Sequence, residues 1–304
     1  MGIFRYLLFF LFFSCSTSKY ASTNKSYKKQ VKAFAKILRQ TPLKDSIATS
    51  SEWVGTTNMG MRKPNFVIIH HTEQNSCEQT LQTFTLPRTQ VSAHYVICKD
   101  GTIHHMLNDY LRAWHAGNSR WGNLTDVNSS SIGIEIDNNG FEVFTEQQIN
   151  SLLILLGVLK KNYSIPAANF IGHADITPTR KNDPNVNFPW KQLADKGFGL
   201  WYGDTSKVTL PQNFSSLQAL RIIGYDIRDT SAAIEAFKRH FEQQDKSKHL
   251  LMPIKKYYSI SVKNTNKKPA LTGCFIEKEN FLVVFKMNTG MIPVKKAKQM
   301  IKSS

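Results

Sequence analysis

The chain has 304 residues, 41% hydrophobic and 20% charged, and carries a formal net charge of +17. That length holds one large domain plus a small one around a real core, and the composition excludes both a disordered chain and a membrane-embedded bundle. The charge favours an anionic partner, but twelve lysines against only Glu277 and Glu279 between Ser247 and Ser304 supply ten of the seventeen charges, so most of the excess belongs to a tail.

In chain order, the first feature is an apolar run from Tyr6 to Phe13 behind Arg5. It is too short to span a bilayer and fits the central region of a secretory signal. Ser14-Cys15 and a polar Ser/Thr/Lys stretch follow, although Phe13 stands where a small residue is usual. The arrangement resembles a bacterial lipoprotein signal over residues 1–15. It implies lipidation at Cys15, a membrane partner through the lipid anchor, and a place in the cell envelope on the periplasmic side of the outer membrane. A plain cleaved signal with a chance cysteine is the alternative.

Residues 16–50 read as a polar tether and a short amphipathic helix, Tyr27–Gln40, with Val31, Phe34, Ile37 and Leu38 on one face. Asn65–Thr72, NFVIIHHT, is a continuous apolar run rich in β-branched residues, and reads as a buried strand ending at His70-His71. Ala93–Leu107 reads as a hairpin turning at Lys99-Asp100-Gly101, because Gly supplies the positive φ of a tight turn. Ser131–Asp137, SIGIEID, alternates as a strand does. Thr145 and Gln148 have capping-box spacing ahead of a helix whose face is formed by residues 149, 152, 153, 156 and 159. Asn169–His173 is a short strand running into a loop too rich in Pro, Asn and Thr for a long helix or strand. Strands mixed with helices predict an α/β fold. Of the remaining cysteines, Cys77, Cys98 and Cys274, none forms a close pair, and three leave one unpaired, so buried free thiols are expected.

His70 closes the first strand, while His173 and Asp183 lie in that loop. Two imidazoles and a carboxylate are a ligand set zinc accepts, and three protein ligands leave a fourth position for water. Glu135 is an acid inside an apolar strand, where it is costly unless paired or functional, and so is a candidate general base. Spacing alone leaves ordinary core or surface histidines as the competing reading.

NFVIIHHT, VSAHYVICKDG, WHAG, SIGIEI and GHADITPTRKNDPNVNFPW, in that order, resemble the zinc-dependent N-acetylmuramoyl-L-alanine amidases over roughly residues 50–203. This family includes the phage lysozyme-type amidases and the animal peptidoglycan recognition proteins. The resemblance implies a central mixed β-sheet flanked by helices, one zinc ion on His70, His173 and Asp183, and catalytic roles for Glu135 and Lys181. It implies peptidoglycan or muropeptides as partners, cut at the amide between the lactyl group of N-acetylmuramic acid and L-alanine. His94, Trp114 and His115 would line the substrate groove or simply pack. Asn185 stands where the family usually has Gly after Asp-Pro, and Asn tolerates left-handed geometry.

The implied catalytic domain covers residues 51–205. Residues 206–246 resemble, more weakly, the small three-helix peptidoglycan-binding module of the lipoprotein branch, with a break at Gly224-Tyr225-Asp226. Residues 247–304 are a basic tail of unknown role, in which Phe281–Met287 reads as a strand and Pro293–Lys302 as a basic helix. A non-catalytic peptidoglycan-binding receptor is the alternative function. The complete set of ligands and catalytic residues favours the enzyme, and no reader motif supports nucleic acid.

Overall fold

The computed structural model describes residues 19–39, 56–206, 208–210, 212 and 214–243. The signal-like segment with Cys15, part of the tether, Cys274 and both elements expected in the tail lie outside the described residues.

The elements run α1 (Ala21–Leu38), β1 (Phe66–His71), α2 (Cys77–Thr85), β2 (Tyr95–Ile97), β3 (Ile103–His105), β4 (Ser131–Ile136), α3 (Glu146–Tyr163), β5 (Phe170–Gly172), α4 (His173–Ile176), α5 (Trp190–Asp195), α6 (Ser216–Ile223) and α7 (Thr230–Phe241). The five strands form one mixed sheet in the order β3-β2-β4-β1-β5. β1 runs parallel to both β4 and β5, β2 runs parallel to β4, and only β2 and β3 are antiparallel. Strands inside such a sheet are covered on both faces, which is why β1 reads as an unbroken apolar run.

β4 is more informative. All six of its residues are buried, so its alternation does not separate water from core. Ile132, Ile134 and Ile136 join the main core beneath α3, with Val67, Ile69, Ile149, Leu152, Leu156 and Leu159. Ser131, Gly133 and Glu135 point to the other face, where the site lies. The capping box of α3 forms as expected, and Thr145 also donates its hydroxyl to the Lys99 carbonyl at 2.7 Å. This seats the β2–β3 turn against the start of the helix. Gly101 there has φ +86°, and an added Cβ would lie 2.9 Å from the Gln147 carbonyl oxygen.

Three expectations are corrected. Cys77 and Cys98 are joined by a disulfide, with Cα atoms 5.2 Å apart. The bond ties the start of α2 to the residue after β2, a pairing that the count of three cysteines beyond Cys15 did not reveal. Closing a loop over a separation of 21 residues contributes about 3 kcal/mol by chain entropy. Second, α1 begins at Ala21 rather than Tyr27, and none of its residues is buried. Its start is held by Lys19 and by the Tyr20 hydroxyl, both bonded to the Glu78 carboxylate. The face expected to carry Val31, Phe34, Ile37 and Leu38 is exposed.

Third, the segment expected to form three helices has two among the described residues, α6 and α7, separated where Gly224 takes φ +137°. Their apolar faces form a small core around Leu220, Ile223, Ile234, Phe237 and Phe241. α7 packs on α4 and α5.

Candidate active site

The C-terminal ends of parallel strands gather functional side chains because loops from several strands meet there. His70 is the last residue but one of β1, and its strand register places it beside Glu135 of β4. His173 follows β5 directly. Asp183 returns on the next loop, whose backbone is pinned by the Ala174 amide donating to the Asp183 carbonyl at 2.8 Å. The Arg180 guanidinium holds the same loop through the Asn118 carbonyl at 2.6 Å. The Asp183-Pro184 peptide is cis.

The three expected ligands converge. His70 Nδ1, His173 Nδ1 and Asp183 Oδ2 are each 3.0 Å from the other two, and all three residues are buried. Whether they fit a metal depends on where the ring protons sit. The Ser131 hydroxyl donates to the Val127 carbonyl at 2.7 Å, so its oxygen accepts from His115 Nε2 at 3.1 Å. His115 Nδ1 is then bare and accepts from His70 Nε2, also at 3.1 Å. His70 Nδ1 is left with a lone pair. His173 Nε2 faces only the Ala116 carbonyl, at 3.4 Å, which likewise leaves its Nδ1 bare. Two imidazole lone pairs and a carboxylate oxygen thus point at one place. Such an arrangement is repulsive without a cation, and the outer partners fix the tautomers as they do around metal-ligating histidines.

The electrostatics agree. Burial pushes the His70 imidazole down to about 4, so it is neutral at physiological pH. Burial and the neighbouring Asp183 charge push Glu135 well above its usual 4.5, opposed by Lys181. Glu135 Oε1 lies 3.9 Å from His70 Nδ1, and its Oε2 has no hydrogen-bond partner among the described residues. Lys181 is exposed on the ligand loop and lines the same cleft, which encloses about 620 Å³ open to solvent.

Trp114 stands at the rim of this cleft, 53% exposed, and His115 forms part of its floor with both ring nitrogens engaged. His94 is corrected. It is fully buried and outside the cleft lining, with Nδ1 accepting from the Gly133 amide at 3.1 Å and Nε2 donating to the Leu111 carbonyl at 3.0 Å. It packs the floor rather than meeting substrate. Asn185 does not use left-handed geometry, since its φ is not positive. Its backbone amide donates to His71 Nδ1 and its side chain to Asn138 Oδ1, both at 3.1 Å, so here the usual glycine is replaced by a bonded asparagine.

Sequence reasoning missed Ser131, and it missed why the strand reads Ser-x-Gly-x-Glu. A Cβ on Gly133 would sit 2.4 Å from Cγ of the His115 ring. Gly133→Ala is therefore expected to displace His115, release the His70 tautomer and weaken metal binding by about 10–100-fold, the range for lost outer partners. Metal titration of the folded variant checks this, and unchanged affinity would mean the His115 contact does not govern His70.

A buried metal-competent triad, an unpaired carboxylate beside it and a lysine across an open cleft define the class as a hydrolase with a metal-type centre. Residues 60–186 match the family model for N-acetylmuramoyl-L-alanine amidase. The amidase AmiD of Escherichia coli is 34% identical over 207 residues, covering 58% of this chain and 74% of that protein. The 1,6-anhydro-N-acetylmuramyl-L-alanine amidase AmpD of Haemophilus influenzae is 39% identical over 104 residues, 34% of this chain and 56% of that protein. Among solved structures, E. coli AmiD in complex with an anhydro-muramyl tripeptide superposes with TM-score 0.60 at 26% identity, covering 69% of this chain and 93% of that one. AmpDh3 of Pseudomonas aeruginosa gives 0.61 at 28% identity, covering 72% and 98%. The chain belongs to the N-acetylmuramoyl-L-alanine amidase family. It is a peptidoglycan amidase that hydrolyses the bond between the lactyl group of N-acetylmuramic acid and L-alanine in cell-wall turnover.

Proposed function

We propose that the amidase is zinc-dependent, with the ion held by His70, His173 and Asp183, and that it works in the cell envelope on a lipid anchor at Cys15. The observation that carries the metal reading is the convergence of two imidazole lone pairs and one carboxylate oxygen on a single point beneath an open cleft. Zinc prefers N and O ligands of this kind, and when bound it supplies an acidified water and polarises a carbonyl oxygen.

The protein's own groups perform the rest. Glu135 is unpaired at Oε2 beside the ligands, and burial raises its pKa, which makes its carboxylate a stronger base than an exposed one. It takes one proton from the attacking water as the oxygen bonds to the lactyl carbonyl carbon. It then gives that proton to the alanine nitrogen as the C–N bond breaks, leaving a carboxylic acid and a free amine. Lys181 faces the cleft with a positive charge and stabilises the carbonyl oxygen as it becomes an oxyanion. Trp114 at the rim offers an apolar surface to the sugar or stem peptide.

The anchor draws support from the apolar run ahead of Ser14-Cys15. The Cys77–Cys98 disulfide fits an oxidising compartment outside the cytoplasm. No helix among the described residues is long and apolar enough to cross a membrane. The solved AmiD complex carries an anhydro-muramyl peptide, and we take fragments of that type, with intact sacculi, as the substrates to test. Mass analysis of products from both, with and without chelator, should show free stem peptide and a lactyl carboxylate only where zinc is present. Activity that survives complete metal removal would overturn the zinc reading. Binding to sacculi without any cleavage would make the chain a receptor instead.

A further inference from the structure

The C-terminal helix pair reaches the metal loop through one buried carboxylate. Asp175, 2% exposed, lies two residues after His173 in α4, a helix of four residues. So short a helix cannot hold itself and depends on outside contacts. Asp175 accepts three bonds. Its Oδ2 takes the Gly172 amide, from the residue just before the ligand, and His240 Nδ1, each at 2.7 Å. Its Oδ1 takes the Tyr225 hydroxyl at 2.6 Å. Tyr225 follows α6 and His240 lies on α7, so two donors from 50 and 65 residues downstream fix the backbone that presents His173.

Both donors are held firmly. His240 stacks on Trp190, with ring centroids 3.8 Å apart and planes 12° from parallel, and Tyr225 packs edge-on against Trp121. The Gly122 amide donates to the Gly224 carbonyl at 2.7 Å next to Tyr225. His240 is a costly residue for this place. It is 4% exposed, and its Nε2 has no partner among the described residues. A leucine would fill an apolar seam without an unpaired polar atom. What the histidine adds is the Nδ1–H aimed at Asp175. Buried networks of this kind are worth keeping when they specify one geometry.

We propose that Tyr225 and His240 are positioning residues for the metal-binding loop, acting through Asp175, so that the helix pair completes the metal site rather than serving only as a wall-binding module. The inference rests on the metal reading of His70, His173 and Asp183. Removing either donor leaves a buried carboxylate short of partners and frees the peptide ahead of His173, while every ligand remains.

The test is zinc affinity by chelator competition on the full-length protein, measured well below the unfolding transition of each variant. Tyr225→Phe removes only one hydroxyl. His240→Leu removes the ring donor, and His240→Asn restores a donor close to the Nδ1 position. We expect His240→Leu to bind zinc about tenfold more weakly, Tyr225→Phe to weaken it in the same direction, and His240→Asn to recover affinity relative to leucine. Lower thermal stability with unchanged zinc affinity in His240→Leu and Tyr225→Phe would overturn the proposal and leave a packing role. If His240→Leu does not fold, Tyr225→Phe decides alone. Failure of the unaltered protein to bind zinc would instead overturn the metal reading.

Discussion

Asp183→Ala is expected to give a folded protein that retains almost no zinc after dialysis. The substitution removes the only anionic ligand and leaves two neutral imidazoles 3.0 Å apart, too few to complete a three-residue site. The same reasoning applies to His173→Ala. Folding should survive, because Asp183 lies on a loop whose backbone bond to Ala174 does not involve its side chain. Elemental analysis of the dialysed variants, with circular dichroism to confirm the fold, gives the answer. Stoichiometric zinc in either variant would strike that residue from the ligand set.

Much of this site was readable because its chemistry is local in sequence. The run ending at His70-His71 had to be a buried strand, and the stretch carrying His173, Lys181 and Asp183 could not be a long helix or strand, although its first four residues form α4. Thr145 and Gln148 announced the start of α3 at three-residue spacing. The interactions that escaped are those made by register and distance. Nothing in SIGIEI says that Ser131 will meet His115, because that contact depends on how a loop folds over β4. The resemblance offered His94 as a groove residue or a packing one, and both its nitrogens are consumed in the core.

The Cys77–Cys98 pairing failed for a different reason. Three cysteines with no close spacing favour free thiols, and only the packing of α2 beside β2 brings two of them together. Asp175 belongs to the same class of blindness. As a sequence it is one letter in Gly-His-Ala-Asp, while its donors lie 50 and 65 residues away in a segment whose resemblance pointed to wall binding. The break at Gly224 does separate the helices at 216–223 and 230–241, but the sequence cannot say which surface they cover.

Glu135→Gln is expected to keep zinc and fold while losing about 10²–10⁴-fold in kcat, the usual contribution of a general acid–base group. Glutamine preserves size and polarity at a site 9% exposed, but an amide cannot carry a proton from water to the leaving nitrogen. The buried carboxylate also has a cost that the variant escapes. In the metal-free protein Glu135 has a pKa raised well above 4.5, chiefly by burial and then by the Asp183 charge. A raised carboxylate pKa means the folded state prefers the protonated form. The resulting penalty is absent below the unfolded pKa, near 4.5, and grows as pH rises toward the folded value. Metal-free Glu135→Gln should therefore unfold at a temperature equal to or above that of the unaltered protein at pH 7, with the advantage fading as pH falls toward 4.5. Thermal melts of the chelated proteins across that range, set beside kcat on muropeptides for the zinc-loaded ones, separate the two effects. A variant with near-normal kcat would remove Glu135 from proton transfer. A variant that loses kcat but is less stable than the unaltered protein at pH 7 would show that the carboxylate is structurally paired, contrary to the unpartnered Oε2. Stability gained where turnover is lost is the pattern expected of a group kept in a low-dielectric cleft for its chemistry.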